Sequence, residues 1–303
     1  MKTLRFSLHL VIVALLVLAF SSLASAQATR TWVSGVGDDA NPCSRTAPCK
    51  TFPGAISKTA VGGEIDCLDP GGFGAVTITK SITINCDQVG GILSGPVNAI
   101  VINAAGGTVT IRAVDLQGAG SGINGVNIIA AAAVHLVDMN IYGFTQNGVN
   151  SSVGANLSLT MQNVNISECA NGVVLNDNAG FLTNADLDRV SVWNTGIGVL
   201  AENGTRMQIH NSTIFGNSNG LQQANLNGNG STVTVANTAF TNNGTAIQSV
   251  NGASIGLSGN VITGSVGAVF NLNGGTISST GNDNFVFGNP GGTGLLSTAT
   301  PKI

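Results

Sequence analysis

Asp186 and Asp188 in "ADLDRV", Gln208 and His210 in "MQIHNS", and Gln162 in "LTMQNV" are residues of types that could do chemistry together in this 303-residue chain. An aspartate beside a histidine can act as a general base. Two carboxylates with amide oxygens could contribute to a calcium shell, but calcium takes about 6–8 oxygens and two aspartates fall short of that. The same groups in a row could simply hydrogen-bond sugar hydroxyls. Arg189 follows Asp188 directly, and His135 in "VHLVDM" would lengthen the row. The catalytic candidates are therefore Asp186, Asp188, His210 and Arg189. The ligand-binding candidates are Gln162, Asp186, Asp188, Gln208, His210 and His135. A smaller oxygen-rich group, Asp38, Asp39 and Asn41 in "GDDANP", could hold a structural calcium in a loop.

Whether these residues meet depends on the elements that carry them, and those elements repeat. "VHLVDMNI" (134–141), "LTMQNVNI" (159–166), "MQIHNSTI" (207–214), "VTVANTAF" (233–240) and "IGLSGNVI" (255–262) align without gaps. "ADLDRVSV" (185–192) fits between them, and "VTIRAVDL" (109–116) precedes them. Successive starts lie 22–26 residues apart, and a second apolar point follows, as in "NGV" (147–149 and 171–173) and "NGL" (219–221). A unit this short cannot hold a strand–helix–strand crossover of about 30 residues. It fits one coil of a parallel β-helix, with glycine and asparagine at the corners because both tolerate positive φ.

Period-2 alternation points Val134 and Leu136, Met207 and Ile209, and Val233 and Val235 inward. One outward column then runs Thr110, His135, Thr160, Asp186, Gln208, Thr234; the other runs Arg112, Val137, Gln162, Asp188, His210, Ala236. With neighbouring coils about 4.8 Å apart, Asp186, Asp188, Gln208 and His210 are expected to form one patch. Gln162 and His135 lie one and two coils away, and Arg189 sits at the corner. Asp138, Asn163, Asn211 and Asn237 share a corner column, interrupted by Arg189, and are expected to bond to one another as scaffold. Trp32, Trp193 and Tyr142, the rings that could stack on sugars, are scattered in sequence.

The ends of the chain have other tasks. Lys2 and Arg5, an apolar run from Leu10 to Phe20 and "ASA" (24–26) have the layout of a secretory signal peptide cut after Ala26. Its apolar run is too short for a membrane span of about 20 residues. No later segment reads as a span, so the mature protein is expected to be secreted, whether to periplasm, cell surface or medium. Without Lys2 and Arg5, nine of the 11 basic residues remain against 14 acidic ones, which argues against a nucleic-acid partner. "TFPGAISKTA" (51–60) places Phe52, Ala55 and Ile56 at helical spacing, a short helix that would cap an open solenoid end. The expected organisation is a leader over 1–26, a strand, loop and capping helix over 27–63, the β-helix over 64–284, and a partial turn and tail over 285–303.

Disulfides persist in exported proteins. Cys43 and Cys49 share a proline-bounded loop and are expected to pair. Cys67 and Cys86 each lie two residues beyond an isoleucine, Ile65 and Ile84. If those isoleucines stack, the cysteines come within disulfide range of about 4.8 Å. Cys169 is then a buried thiol with nothing nearby to activate it.

The segment "WVSGVGDDANPCSRTAPCKTFPGAISKTAVGGEIDCLDPGGFG" (32–74) resembles the opening of pectate-lyase-like right-handed β-helix proteins. The coils that follow resemble that family's carbohydrate-associated repeats. The resemblance implies an all-β, single-domain right-handed parallel β-helix, here of roughly nine coils, with polysaccharide as the ligand class. It also implies an active face on one parallel sheet, with clustered aspartates and a basic residue in the enzymes. This chain departs from that pattern, with no lysine between Lys80 and Lys302 and its one adjacent aspartate pair, Asp38–Asp39, in the opening loop. The leading expectation is thus an exported β-helix protein that binds polysaccharide on an outer sheet face and needs no cofactor. The rival is a polysaccharide lyase or glycoside hydrolase working at Asp186, Asp188 and His210. A third possibility is a structural, adhesin-like surface protein.

Overall fold

Alternation of apolar and polar residues winds the chain into three parallel faces stacked along one axis. The computed structural model describes residues 27–177, 180–226, 228, 230–280, 283–291 and 298–300. The leader expected over 1–26 and most of the tail lie outside the described residues. Face 1 passes through 109–112, 134–137, 158–162, Thr183–Asp188, Thr205–His210, Thr232–Ala236 and Ser254–Ser258, each paired in parallel with the next. Face 2 passes through 114–117, 139–142, 164–167, Ser191–Trp193, Thr213–Phe215 and Ala239–Thr241. Face 3 passes through 126–128, Asn147–Ser151, Asn171–Asn176, Ile197–Glu202, Asn219–Ala224 and Thr245–Val250. This is the right-handed parallel β-helix expected, nearly all β, with a single short helix among the described residues.

The core is the space the three faces enclose. Val134 and Leu136 from face 1, Met139 and Ile141 from face 2, and Val126 and Ile128 from face 3 are all buried, and equivalent positions repeat this coil after coil. Each such side chain contributes roughly 1.5–3 kcal/mol. The inward assignments read from alternation, Met207, Ile209, Val233 and Val235 among them, are all buried.

The corner from face 1 to face 2 is one residue long. Ala113, Asp138, Asn163, Arg189, Asn211 and Asn237 hold it with φ between 50° and 55°, the left-handed region that asparagine tolerates better than most residues. This residue resets the alternation: Leu136 points in, Val137 lies on the outward column, Asp138 turns, and Met139 points in again. Along the outer side of the corner, Asn163 Nδ2 donates to Asp138 Oδ1 at 2.8 Å, as expected for a scaffold column. Where Arg189 interrupts, Asn211 Nδ2 turns instead to Asp188 Oδ1 at 3.0 Å.

Two further ladders run inside the solenoid, where alternation alone predicts apolar residues. Past the first corner, Val190 N donates to Ser212 Oγ, Thr238 N to Asn260 Oδ1 and Asn260 N to Asn284 Oδ1, at 2.9–3.0 Å. Past the corner from face 2 to face 3, Thr195 N donates to Asn217 Oδ1 and Asn217 N to Asn243 Oδ1, both at 3.0 Å. Asn217 Nδ2 also donates to Val192 O at 3.1 Å. In each case the side chain of one coil satisfies the turn backbone of the previous coil, whose groups would otherwise be buried unpaired.

At the N-terminal end, strand Ala28–Val33 pairs in parallel with Thr59–Cys67 and forms the terminal rung of face 1. Its open edge is covered by the loop between Cys43 and Cys49: Trp32 N donates to Cys43 O, Cys49 N to Trp32 O, and Ser34 N to Cys49 O, at 2.8–2.9 Å. The Cys43–Cys49 disulfide, Cα–Cα 4.6 Å, closes that loop. Helix Phe52–Lys58 starts on the Thr51 cap and buries Phe52 and Ala55, with Phe52 against Phe73. Ile65 pairs with Ile84, and beyond them Cys67 and Cys86 are bonded, Cα–Cα 4.5 Å. Cys169 is the free cysteine among the described residues, and burial pushes its thiol up to about 11.

The inner ladder is expected to carry more stability than the outer one. Asn217→Leu leaves buried groups of Thr195 and Val192 unpaired, at about 1–3 kcal/mol for each. Asn163→Gly at the exposed corner is expected to cost less than about 1 kcal/mol. Chemical denaturation of the two variants checks the ordering.

Candidate functional site

Face 1 carries the candidate patch in the register the sequence predicts. Thr110 pairs with His135, His135 with Thr160, Thr160 with Asp186, Asp186 with Gln208 and Gln208 with Thr234. In the second column Arg112 pairs with Val137, Val137 with Gln162, Gln162 with Asp188 and Asp188 with His210. Strands Thr183–Asp188 and Thr205–His210 hold their side chains outward because Ala185, Leu187, Met207 and Ile209 are committed to the core.

His210 lies between the two carboxylates. Its Nε2 is 2.8 Å from Asp186 Oδ1, and its Nδ1 is 3.3 Å from Asp188 Oδ1 and 3.1 Å from Asn211 Nδ2. With the proton on Nε2, His210 donates to Asp186 and accepts from Asn211 at Nδ1, and Asp188 Oδ1, itself an acceptor, is tied to the ring through the same Asn211 amide. The two aspartates differ sharply in surroundings. The Asp188 side chain is 14% exposed; the Asn211 amide above all, then the Arg189 guanidinium at 2.6 Å, His210 and Gln162, hold its carboxyl below the usual range. The Asp186 side chain is 50% exposed and has His210 as its partner. Asp186 is therefore the carboxylate a ligand can reach, whereas Asp188 is taken up in holding His210, Asn211 and Arg189. His135, two rungs from Asp186 with Thr160 between, stays at the margin of the patch.

A depression of about 490 Å³ opens beside this cluster. It is lined outward by Ser158, Asn184 and Arg206 as well as by Thr160, Asp186 and Gln208. The first three form a row that the repeat alignment missed, because it precedes the first apolar position of each coil. Ser158 pairs with Asn184 and Asn184 with Arg206, at the same spacing as the rows already recognised. Arg206 is exposed and, among the described residues, forms no ion pair.

The opening loop uses its oxygens otherwise. Asp39 Oδ1 accepts from Lys50 N and Thr51 N at 2.8 and 2.9 Å, its Oδ2 accepts from Thr51 Oγ1, and burial is outweighed by these bonds and Lys58 to lower its carboxyl. Asp38 Oδ1 accepts from Ala40 N, and Asn41 Nδ2 donates to Pro48 O. Lys58 Nζ donates to the backbone carbonyls of Asp39 and Asn41. These bonds take both Asp39 carboxylate oxygens and one of Asp38. Among the described residues no three His, Cys, Asp or Glu side chains gather as a metal would require.

The aromatic residues are less scattered than their sequence positions imply. Trp32 sits on the terminal rung beside Arg30. Tyr142 and Trp193 share one outward column of face 2, separated by Ser167 and continued by Phe215.

Neither a protein-family model nor a curated protein matches this sequence. Among solved structures, the alginate lyase from Paenibacillus sp. str. FPU-7 is similar over 86% of this chain and 97% of that one, at 18% identity and a TM-score of 0.57. The crystal structure of pectate lyase Pel9A is similar over 93% of this chain and 76% of that one, at 15% identity and a TM-score of 0.53. At these identities the likeness is one of fold, and function is argued from the site. The chain has a right-handed parallel β-helix fold similar to those of a pectate lyase and an alginate lyase.

Proposed function

We propose that this is an exported protein that binds a polysaccharide chain along face 1. The observation that carries the reading is the depression in which Ser158, Asn184 and Arg206 lie beside Thr160, Asp186 and Gln208. Three successive rungs supply hydroxyls, amides, one carboxylate and one cation, spaced about 4.8 Å apart along a straight face. That is a row of hydrogen-bonding groups matched to a row of sugar hydroxyls, and Arg206 can pair with a uronate carboxylate. The likeness in fold to a pectate lyase and an alginate lyase supports this ligand class. Export is supported by the leader-like sequence over 1–26 and by the two disulfides.

His210, held at 2.8 Å from the exposed Asp186, favours a second reading, a polysaccharide lyase or hydrolase. Asp186 and His210 would share the general acid–base work, and Asp188 would position the imidazole without touching substrate. Binding is preferred because the site is an open depression on a sheet face.

The two readings separate in one experiment. The protein without residues 1–26 is incubated with polygalacturonate, alginate and a neutral β-glucan, with and without calcium. Affinity electrophoresis reads retention and mass spectrometry reads soluble products. Retention without product is expected, and Arg206→Ala is expected to weaken retention of the acidic chains roughly tenfold, about 1.4 kcal/mol, near the low end for a charge-assisted hydrogen bond. Product that disappears in Asp186→Asn and His210→Gln would establish an enzyme instead. No retention and no product would leave the surface-protein reading.

The positioning role of Asp188 has its own pH signature. Its carboxyl titrates in the folded protein below the unfolded value of about 3.9. The ionised form therefore adds stability above that value, and the gain is lost as pH falls through the folded pKa. Asp188→Asn is expected to unfold at a lower temperature than the wild type at neutral pH and to lose that deficit as pH falls through the folded pKa of Asp188. Thermal unfolding across a pH series measures it.

A further inference from the structure

We propose a second saccharide site on face 2, in the slot between Tyr142 and Trp193, built to take an uncharged pyranose ring. The ligand class rests on the polysaccharide reading above, but the slot shares no residue with the depression on face 1.

The geometry begins with one outward column, in which Tyr142, Ser167, Trp193 and Phe215 occupy successive rungs. Trp193 stacks on Phe215 with ring centroids 5.7 Å apart and planes within 9°. One indole face is thus covered, and the other looks toward the Ser167 rung. Ser167, only 8% exposed, is the floor of that rung, and a depression of about 350 Å³ opens beside it, with Asn140, Ile141, Tyr142, Asn165, Ser167 and Trp193 in its lining. The backbones of Tyr142 and Trp193 are two rungs apart, roughly 9.6 Å along the axis. A ring held between two aromatic faces needs roughly 7–8 Å, twice the carbon–carbon contact distance. A single sugar ring fits, and a second aromatic side chain at Ser167 would occupy the same space.

The polar side of the slot is equally ordered. Asn165 Nδ2 donates to Asn140 Oδ1 at 3.0 Å, and Asn140 Nδ2 donates to Asp115 Oδ1 at 2.8 Å. The ladder fixes both amides along the axis and leaves each with a second N–H for a ligand. Aromatic walls for the C–H faces of a pyranose and fixed amides for its hydroxyls are the combination such a ring needs. The Asp115 carboxylate at the end of the ladder opposes a uronate, so the ring preferred here is neutral. Face 1, with Arg206, and face 2, with Asp115, would then hold differently charged chains or different parts of one chain.

The test uses the protein without residues 1–26, with cellohexaose as the neutral probe and polygalacturonate as the acidic one. Tryptophan fluorescence and calorimetric titration read the first; affinity electrophoresis reads the second. Trp193→Ala is expected to weaken cellohexaose binding about tenfold, within the range of one lost ring contact. Ser167→Trp, which fills the slot without removing its walls, is expected to weaken it at least as much. Thermal unfolding checks that both variants are folded. Cellohexaose binding unchanged in folded Trp193→Ala and Ser167→Trp overturns the proposal, as does its absence in the wild type. Retention of polygalacturonate reports separately on the reading of face 1, so either can fail alone.

Discussion

The structure depends on one backbone constraint, a single left-handed residue between faces 1 and 2 in each coil from Ala113 to Asn237. A strand that kept strict alternation through this corner would carry its next apolar side chain to the wrong side. The extra residue at Asp138, Asn163, Arg189, Asn211 and Asn237 restores the phase, so that both faces send their apolar residues into the same core. Asparagine tolerates this conformation and can bond along the stack, which is why it recurs. Arg189 is the costly exception, a long side chain in a sparsely populated region. It coincides with the candidate site, where its guanidinium meets Asp188.

Once the phase is set, register does the rest. Parallel pairing places residues at equal offsets in successive coils side by side, whatever their chemistry, so a face can accumulate a row of similar groups. The cluster around His210 arises in this way, from residues 22–26 positions apart in sequence. The same stacking separates the two aspartates by role. Asp188, next to the corner, is within reach of Asn211 and Arg189, whereas Asp186, two residues earlier, lies on the open strand. Two neighbouring carboxylates thus become a support and a contact.

Much of this was legible in the sequence, and the gaps have physical reasons. The coil starts, the inward residues and both outward columns of face 1 follow from alternation at a spacing of 22–26 residues, and the two disulfides from a shared loop and from the stacking of Ile65 on Ile84. The row Ser158–Asn184–Arg206 was missed because alignment began at the first apolar residue, although the same spacings extend one position earlier. Tyr142, Trp193 and Phe215 each lie eight residues after a coil start, a signal that needs the second strand to be placed in register with the first. The buried ladders of Asn217, Asn243 and Asn260 were less accessible, because a hydrophobicity pattern reads asparagine as outward. Their burial is decided by unpaired turn amides, which no single coil reveals.

The central claim is the register of neighbouring coils, and paired cysteines test it most directly. Asp186→Cys with Gln208→Cys places two outward thiols on adjacent rungs, at a Cα separation of about 4.8 Å that a disulfide can span. Asp186→Cys with Met207→Cys is the slipped control, with one side chain outward and the other in the core. Under mild oxidation, with non-reducing electrophoresis and peptide mapping as the readout, the 186–208 pair should cross-link and the 186–207 pair should not. Cross-linking of the slipped pair in preference would contradict the register, and with it the alignment of both proposed binding surfaces.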